Sequence, residues 1–136
     1  MSCAQHITDV PIAINQVEFH PWFQRPELIE YCHDSGTVVE AAAPLARAEV
    51  FDDDVVVDLA SKYDKTPAQV VIRWALDRDV TVLPRSSSPA HIENNIATEW
   101  SLFDQNRERL NERDREYPVY DTPTRDWTRE FYGIET

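Results

Sequence analysis

Three short apolar stretches, PIAINQVEF (11–19), TVVEAAA (37–43) and VTVLP (80–84), are separated from one another by helix-forming sequence. That alternation constrains the fold more than any other feature of the chain. Strands joined through helices must run parallel, with right-handed crossovers. TVVEAAA is short and almost wholly apolar, as strands buried on both faces tend to be. The order reads strand–helix–strand–helix–helix–strand–helix–helix, an α/β chain. Three parallel strands make an open fragment whose two edges need partners.

The helices announce themselves through their ends. Pro26 can serve as a first helical residue, PELIEYCHDSG places Leu28, Ile29 and Cys32 on one face, and Gly36 closes the helix. Asp52 to Asp54 open a second helix running to about Tyr63, where acidic side chains suit the positive end of the helix dipole. Their density resembles a metal cluster, but a solvated helix entry is the preferred reading, and no metal site is expected. TPAQVVIRWALDRD carries the clearest local signal: Thr66 caps, Pro67 takes the first turn and Gln69 completes a capping box. Val70, Val71, Ile72, Trp74 and Ala75 supply its buried stripe, which makes Trp74 a core residue. Ser88 and Pro89 start another helix, and a last one runs from about Asp104 to Asp114. The aromatic tail, residues 117–136, packs on the body with a short helix near Trp127 and Phe131. Tyr117, Tyr120, Trp127 and Tyr132 either dock that tail or meet a substrate.

The 136 residues suit one domain, and 42% hydrophobic content is enough for a core. The net charge of -12 argues against nucleic acid, whose phosphates require clustered Lys and Arg. Lys62 and Lys65 are the only lysines. A large acidic excess with few lysines fits a protein of a salt-loving organism, where salt screens self-repulsion; an ordinary acidic protein fits as well. Cys3 and Cys32 form no metal or CxxC spacing and read as reduced thiols. No signal peptide or membrane span is visible, so a cytoplasmic location and no membrane partner are expected.

PRSSSPAHIENN (84–95) follows the third strand and runs into a helix. Two readings fit: a capped surface helix, or an anion pocket. A helix N-terminus presents unpaired N–H groups and a partial positive charge. Arg85 adds a planar, permanently charged fork suited to phosphate oxygens. Ser86 and Ser87 add hydroxyl donors. His91 and Asn95, four residues apart, share a helical face with Asn94 beside them.

NQVEFHPWFQRPELIEYC, KTPAQVVIRWAL and VLPRSSSPAHIENN together resemble, in order and spacing, the C-terminal half of the aldo-keto reductase family, from about Val10 to Asp114. The wording of HPWFQ and TPAQVV is nearest to the reductases of diketogluconate and other small carbonyls. The resemblance implies an eight-stranded (β/α) TIM barrel that reduces aldehydes and ketones with NADPH, a tyrosine donating the proton. Such a barrel takes about 250 residues. This chain would supply its last three strand–helix units, the C-terminal helix and the tail, all as one domain. Gln16 matches the glutamine that holds the nicotinamide carboxamide. Arg85 and Ser86 match the lysine and serine at the 2′-phosphate, and Ser87 adjoins them. His91 stands for a second phosphate-binding arginine, Asn94 for an acidic residue, and Asn95 matches the asparagine at adenine. Leu45 lies near the diphosphate.

The resemblance also implies losses. Ala42 takes the place of an aromatic residue that stacks on the nicotinamide. His91 weakens 2′-phosphate binding, because an ordinary imidazole is mostly uncharged near neutral pH. The catalytic Asp, Tyr, Lys and His of the family lie on earlier strands, so none maps to this chain and no catalytic residue is assigned. Glu18 and His20 alternate onto the face of Gln16 and mimic an acid–base pair, but a structural role is preferred. Two hypotheses follow. One is a reductase polypeptide cut short, retaining part of the NADP(H) site and inactive alone, its carbonyl substrate met only in a complete barrel. The other is a non-catalytic half-barrel that binds nucleotide or covers its edges with a second copy or a complementing chain.

Overall fold

A parallel three-stranded sheet forms the centre of a computed structural model in which residues 9–120 are described. Strands β1 (Ile14–Glu18), β2 (Val38–Ala42) and β3 (Val80–Val82) lie in the order β1-β2-β3. Asn15 pairs with Val39 and Val17 with Ala41, and Val39 and Ala41 continue to Val80 and Val82. These residues form one face of the sheet. Ile14, Gln16, Val38, Glu40 and Thr81 form the other.

Between and after the strands come α1 (Pro26–Asp34), a 3-10 segment (Ala46–Asp52), α2 (Asp54–Tyr63), α3 (Pro67–Leu76), α4 (Pro89–Ile96) and α5 (Asp104–Asn111). The expected order of strands and helices is therefore observed, with the 3-10 segment added. The capping box of α3 is present: Gln69 N–H donates to Thr66 Oγ1 and Thr66 N–H to Gln69 Oε1. Gly36 adopts φ +69 after α1, a conformation cheap only for glycine. Cys32 is buried, and the Asn15 amide donates to its Sγ at 3.6 Å. Cys3, Trp127, Phe131 and Tyr132 lie outside the described residues.

The core gathers on one side of the sheet. Trp74 of α3 stacks on Phe19 with centroids 5.0 Å apart, and its indole N–H donates to Asn111 Oδ1 at 2.8 Å. Val39, Ala41, Val70, Val71 and Leu59 join them, all buried. Gln24, from HPWFQ, donates its amide to the carbonyls of Leu110 and Asn111, fastening the end of α5 to the loop after β1.

Two expectations need correction. TVVEAAA is not buried throughout: Val39 is 0% exposed but its neighbour Val38 is 49% exposed, because helices cover only one face. The entry to α2 is solvated only in part: Asp52 and Asp54 are exposed, but Asp53 is not. Asp53 is 5% exposed, caps α2 through Val55 N–H, and accepts bonds from Trp22 Nε1 and Arg113. Its carboxyl serves as a buried junction. Among the described residues no group of three or more His, Cys, Asp or Glu could hold a metal ion, and no helix is long and apolar enough to cross a membrane.

Candidate functional site

Parallel α/β sheets place their ligands beyond the C-terminal ends of the strands. There, the loops after β2 and β3 enclose a cleft of about 810 Å³. One wall is Ala43 to Ala48 with Phe51, the other Leu83 to Ser86 and the inward side of α4, and Tyr120 lies at its margin. The β2 wall is a tight left-handed turn, with φ of +48 at Ala43, +45 at Ala46, +52 at Arg47 and +72 at Ala48. Each such residue costs about 1–2 kcal/mol relative to an ordinary conformation. No glycine marks the turn, so no residue type announces it.

Arg85, Ser86, His91, Asn94, Asn95 and Leu45 all line this cleft. Asn95 is buried, Asn94 half-buried, and Arg85 and His91 exposed. Ser86 shapes the approach to α4: its Oγ accepts from Ser88 N–H at 3.1 Å, whereas Ser88, at the cap position, makes no capping bond with its own side chain. The first backbone bond of the helix runs from Ile92 N–H to Ser88 O, which leaves the amides of Ala90 and His91 without a helical acceptor. Ser87 is exposed and does not line the cleft. Gln16 is not in it either. It sits on the uncovered face of β1, its amide donating to Glu40 Oε2 at 3.3 Å.

The electrostatics of the cleft oppose those of the chain. None of its lining residues is Asp or Glu, although the sequence holds 25 of them. Arg47 and Arg85 both line it, and among the described residues neither is ion-paired with a carboxylate. Arg73, Arg107, Arg109 and Arg113, by contrast, are all paired with aspartates. A permanently charged guanidinium left unpaired in a concave, carboxylate-free site favours an anion.

Glu18 and His20 lie elsewhere, at the end of β1. His20 Nε2 is 2.9 Å from Glu18 Oε1, and the ring is fully buried. Burial lowers the imidazole's pKa despite its hydrogen bond to Glu18. Nδ1 is buried with no partner. Glu18 also accepts the backbone N–H groups of Val119 and Tyr120. The pair is a fastening for the chain segment that brings Tyr120 to the cleft.

Arg47 and Phe51 are lining residues that sequence reasoning did not select, and it left Tyr120 between docking the tail and meeting a substrate without placing it at this cleft. Arg47 could have been noticed as a cation two positions after Leu45. Tyr120 could not, because its placement depends on Glu18, 102 residues away.

The match to known proteins agrees with this arrangement. Residues 2–112 match the model of the Aldo/keto reductase family, and the chain belongs to that family. It is 36% identical over 105 residues to the uncharacterized oxidoreductase C2F3.05c of Schizosaccharomyces pombe, covering 76% of this chain and 38% of the relative. Against methylglyoxal reductase DkgA of Escherichia coli it is 44% identical over 91 residues, covering 65% and 33%. The NADP-dependent D-sorbitol-6-phosphate dehydrogenase of Malus domestica is 33% identical over 132 residues, covering 89% and 42%. Among solved structures, a mutant of Gox0644 in complex with NADPH superposes with a TM-score of 0.81 at 31% identity, covering 85% of this chain and 43% of that one. The chain thus spans less than half the length of the relatives it matches.

Proposed function

We propose that this chain forms the adenosine and phosphate end of an NADP(H) site, as the last three strand–helix units of a (β/α) barrel that reduces small aldehydes or ketones. The observation that carries this reading is the carboxylate-free cleft, lined by two arginines that pair with no carboxylate among the described residues, in a chain of net charge -12. NADPH supplies the hydride when bound; the residues here bind and orient it. Arg85 takes the 2′-phosphate with the leading amides of α4, Ser86 fixes the approach to that helix, and Asn94 and Asn95 face adenine. With His91 where the family resemblance implies a second arginine, the 2′-phosphate is held less firmly than by two guanidinium forks.

Gln16, on the uncovered sheet face, would hold the nicotinamide only once further strands close around it. The Asp, Tyr, Lys and His that the family resemblance implies for catalysis lie ahead of the matched segment. We therefore expect this chain alone to reduce no carbonyl, since donor, acceptor and proton source must be held together. Titrating the chain with NADPH, followed by nucleotide fluorescence, tests the reading. Saturable binding that adenosine 2′,5′-bisphosphate displaces is expected; a compact chain with no affinity for NADPH overturns it.

A second reading is a half-barrel that covers itself with a second copy or a complementing chain. It is favoured by the half-exposed Ile14 and Val38 on the open sheet face. Light scattering that returns a monomer at all concentrations removes the version with a second copy.

A further inference from the structure

The exposed face of the sheet carries a carboxylate at its centre. β2 is the middle strand, and Glu40 is the third of its five residues. Glu40 pairs in register with Gln16 on one side and Thr81 on the other, so a polar row crosses all three strands. Beside that row lie Ile14 and Val38, paired with each other and half-exposed. The Gln16 amide donates to Glu40 Oε2 at 3.3 Å, and no ion pair among the described residues includes Glu40. One amide fills only a small part of what an ionised carboxylate can accept. Solvent reaches the remainder, because Glu40 is only half-buried.

A layer that covers Ile14 and Val38 takes solvent from Glu40 as well. An ionised carboxylate left unpaired beneath such a cover opposes it, and a cation set against the carboxylate removes the opposition. A second copy does not bring that cation. Because Glu40 is central, a two-fold face-to-face pairing sets it near Glu40 of the other copy, and two chains of net charge -12 also repel one another at long range. We propose that this face is an interface for a different polypeptide layer, one that lays apolar side chains on Ile14 and Val38 and brings a lysine or arginine to Glu40. This rests on the half-barrel reading above. Glu40 thereby selects the partner, rejecting an identical surface and admitting a basic one.

The chain's own Glu40→Lys variant is the probe, since it keeps the apolar row and replaces the carboxylate by a cation. Parent, variant and their equimolar mixture are compared by sedimentation velocity, circular dichroism confirming that each is folded. Salt at about 1 M shortens the Debye length to about 3 Å and screens the general acidity of the chain. Parent and Glu40→Lys are each expected to sediment as monomers, and the mixture as a one-to-one complex at least about tenfold tighter than either self-association. Glu40→Arg mixed with the parent repeats the result with the other cation. Glu40→Gln, which removes the charge and keeps the shape, is expected to self-associate more tightly than the parent. A parent dimer as tight as the mixed complex overturns the proposal and leaves the half-barrel reading standing, because the face then pairs without regard to charge. Self-association of Glu40→Gln with no gain in either mixture overturns the need for a cation. If no sample associates at all, the proposal and the half-barrel reading fall together.

Discussion

The two faces of the sheet have opposite fates, though the same three strands make both. Asn15, Val17, Val39, Ala41, Val80 and Val82 lie on the core side, whereas Ile14, Gln16, Val38 and Thr81 are exposed and Glu40 is half-buried on the other. The cleft belongs with the finished side. Its walls are loops and a helix packed on that core, and they gather Arg85, Ser86, Asn94 and Asn95 in one place. Gln16, the residue read as a nicotinamide contact, belongs with the unfinished side and reaches only Glu40. The contrast teaches that the phosphate-facing part of a dinucleotide site can be assembled from this chain's own packing, while the reacting end requires a second set of strands.

The strongest test of the finished side is Trp74→Ala. The ring is fully buried against Phe19, so its removal should cost about 3–5 kcal/mol, read as a fall in the urea midpoint. Domains of this size have about 5–15 kcal/mol in all, so the variant should stand near its folding threshold. A loss under about 1 kcal/mol would mean that the core is not packed as described.

Next in size is Asp53. Burial alone would raise its pKa, but hydrogen bonds from Trp22, Arg113 and Val55 N–H outweigh that and hold the carboxyl below its ordinary value. A carboxylate with a depressed pKa contributes stability above its unfolded value, about 4, and that contribution disappears as pH falls through the folded value. Asp53→Asn should cost about 2 kcal/mol at pH 7, the worth of a hydrogen-bonded charge. It should also flatten the decline of stability below about pH 4. Parallel acid titrations of the two proteins decide this; identical slopes would refute it.

How much of this was legible from residues alone follows distance along the chain. The capping box of Thr66 and Gln69, the proline-led starts of α1, α3 and α4, and the grouping of His91, Asn94 and Asn95 depend on neighbours three or four positions apart, and such signals are written locally. Asp53 was misjudged because its partners, Trp22 and Arg113, are 31 and 60 residues away. The one-sided burial of TVVEAAA was hidden because small apolar residues on both faces leave no alternation to read. The left-handed turn at Ala43–Ala48 was invisible for lack of glycine, and the place of Tyr120 at the cleft for want of any local signal.

A smaller effect concerns the cleft. His91→Arg should tighten NADPH by about fivefold, close to 1 kcal/mol, by restoring a permanent charge beside the 2′-phosphate. NADH, without that phosphate, should be unaffected. Equal gains for the two nucleotides would place the side chain elsewhere, and no gain for NADPH would separate position 91 from the phosphate altogether.

The smallest expected effect is the most direct probe of the two faces, because it compares neighbouring residues of one type. Val39→Thr puts a hydroxyl into a fully buried site and should cost about 1–3 kcal/mol. Val38→Thr makes the same change one residue earlier, at a position 49% exposed, and should stay within about 0.5 kcal/mol. Urea unfolding of both variants at low protein concentration measures the difference. If Val38→Thr proves as costly as Val39→Thr, the open face is covered in solution. A cost that grows with protein concentration then identifies a second copy as the cover, since only association makes stability depend on concentration.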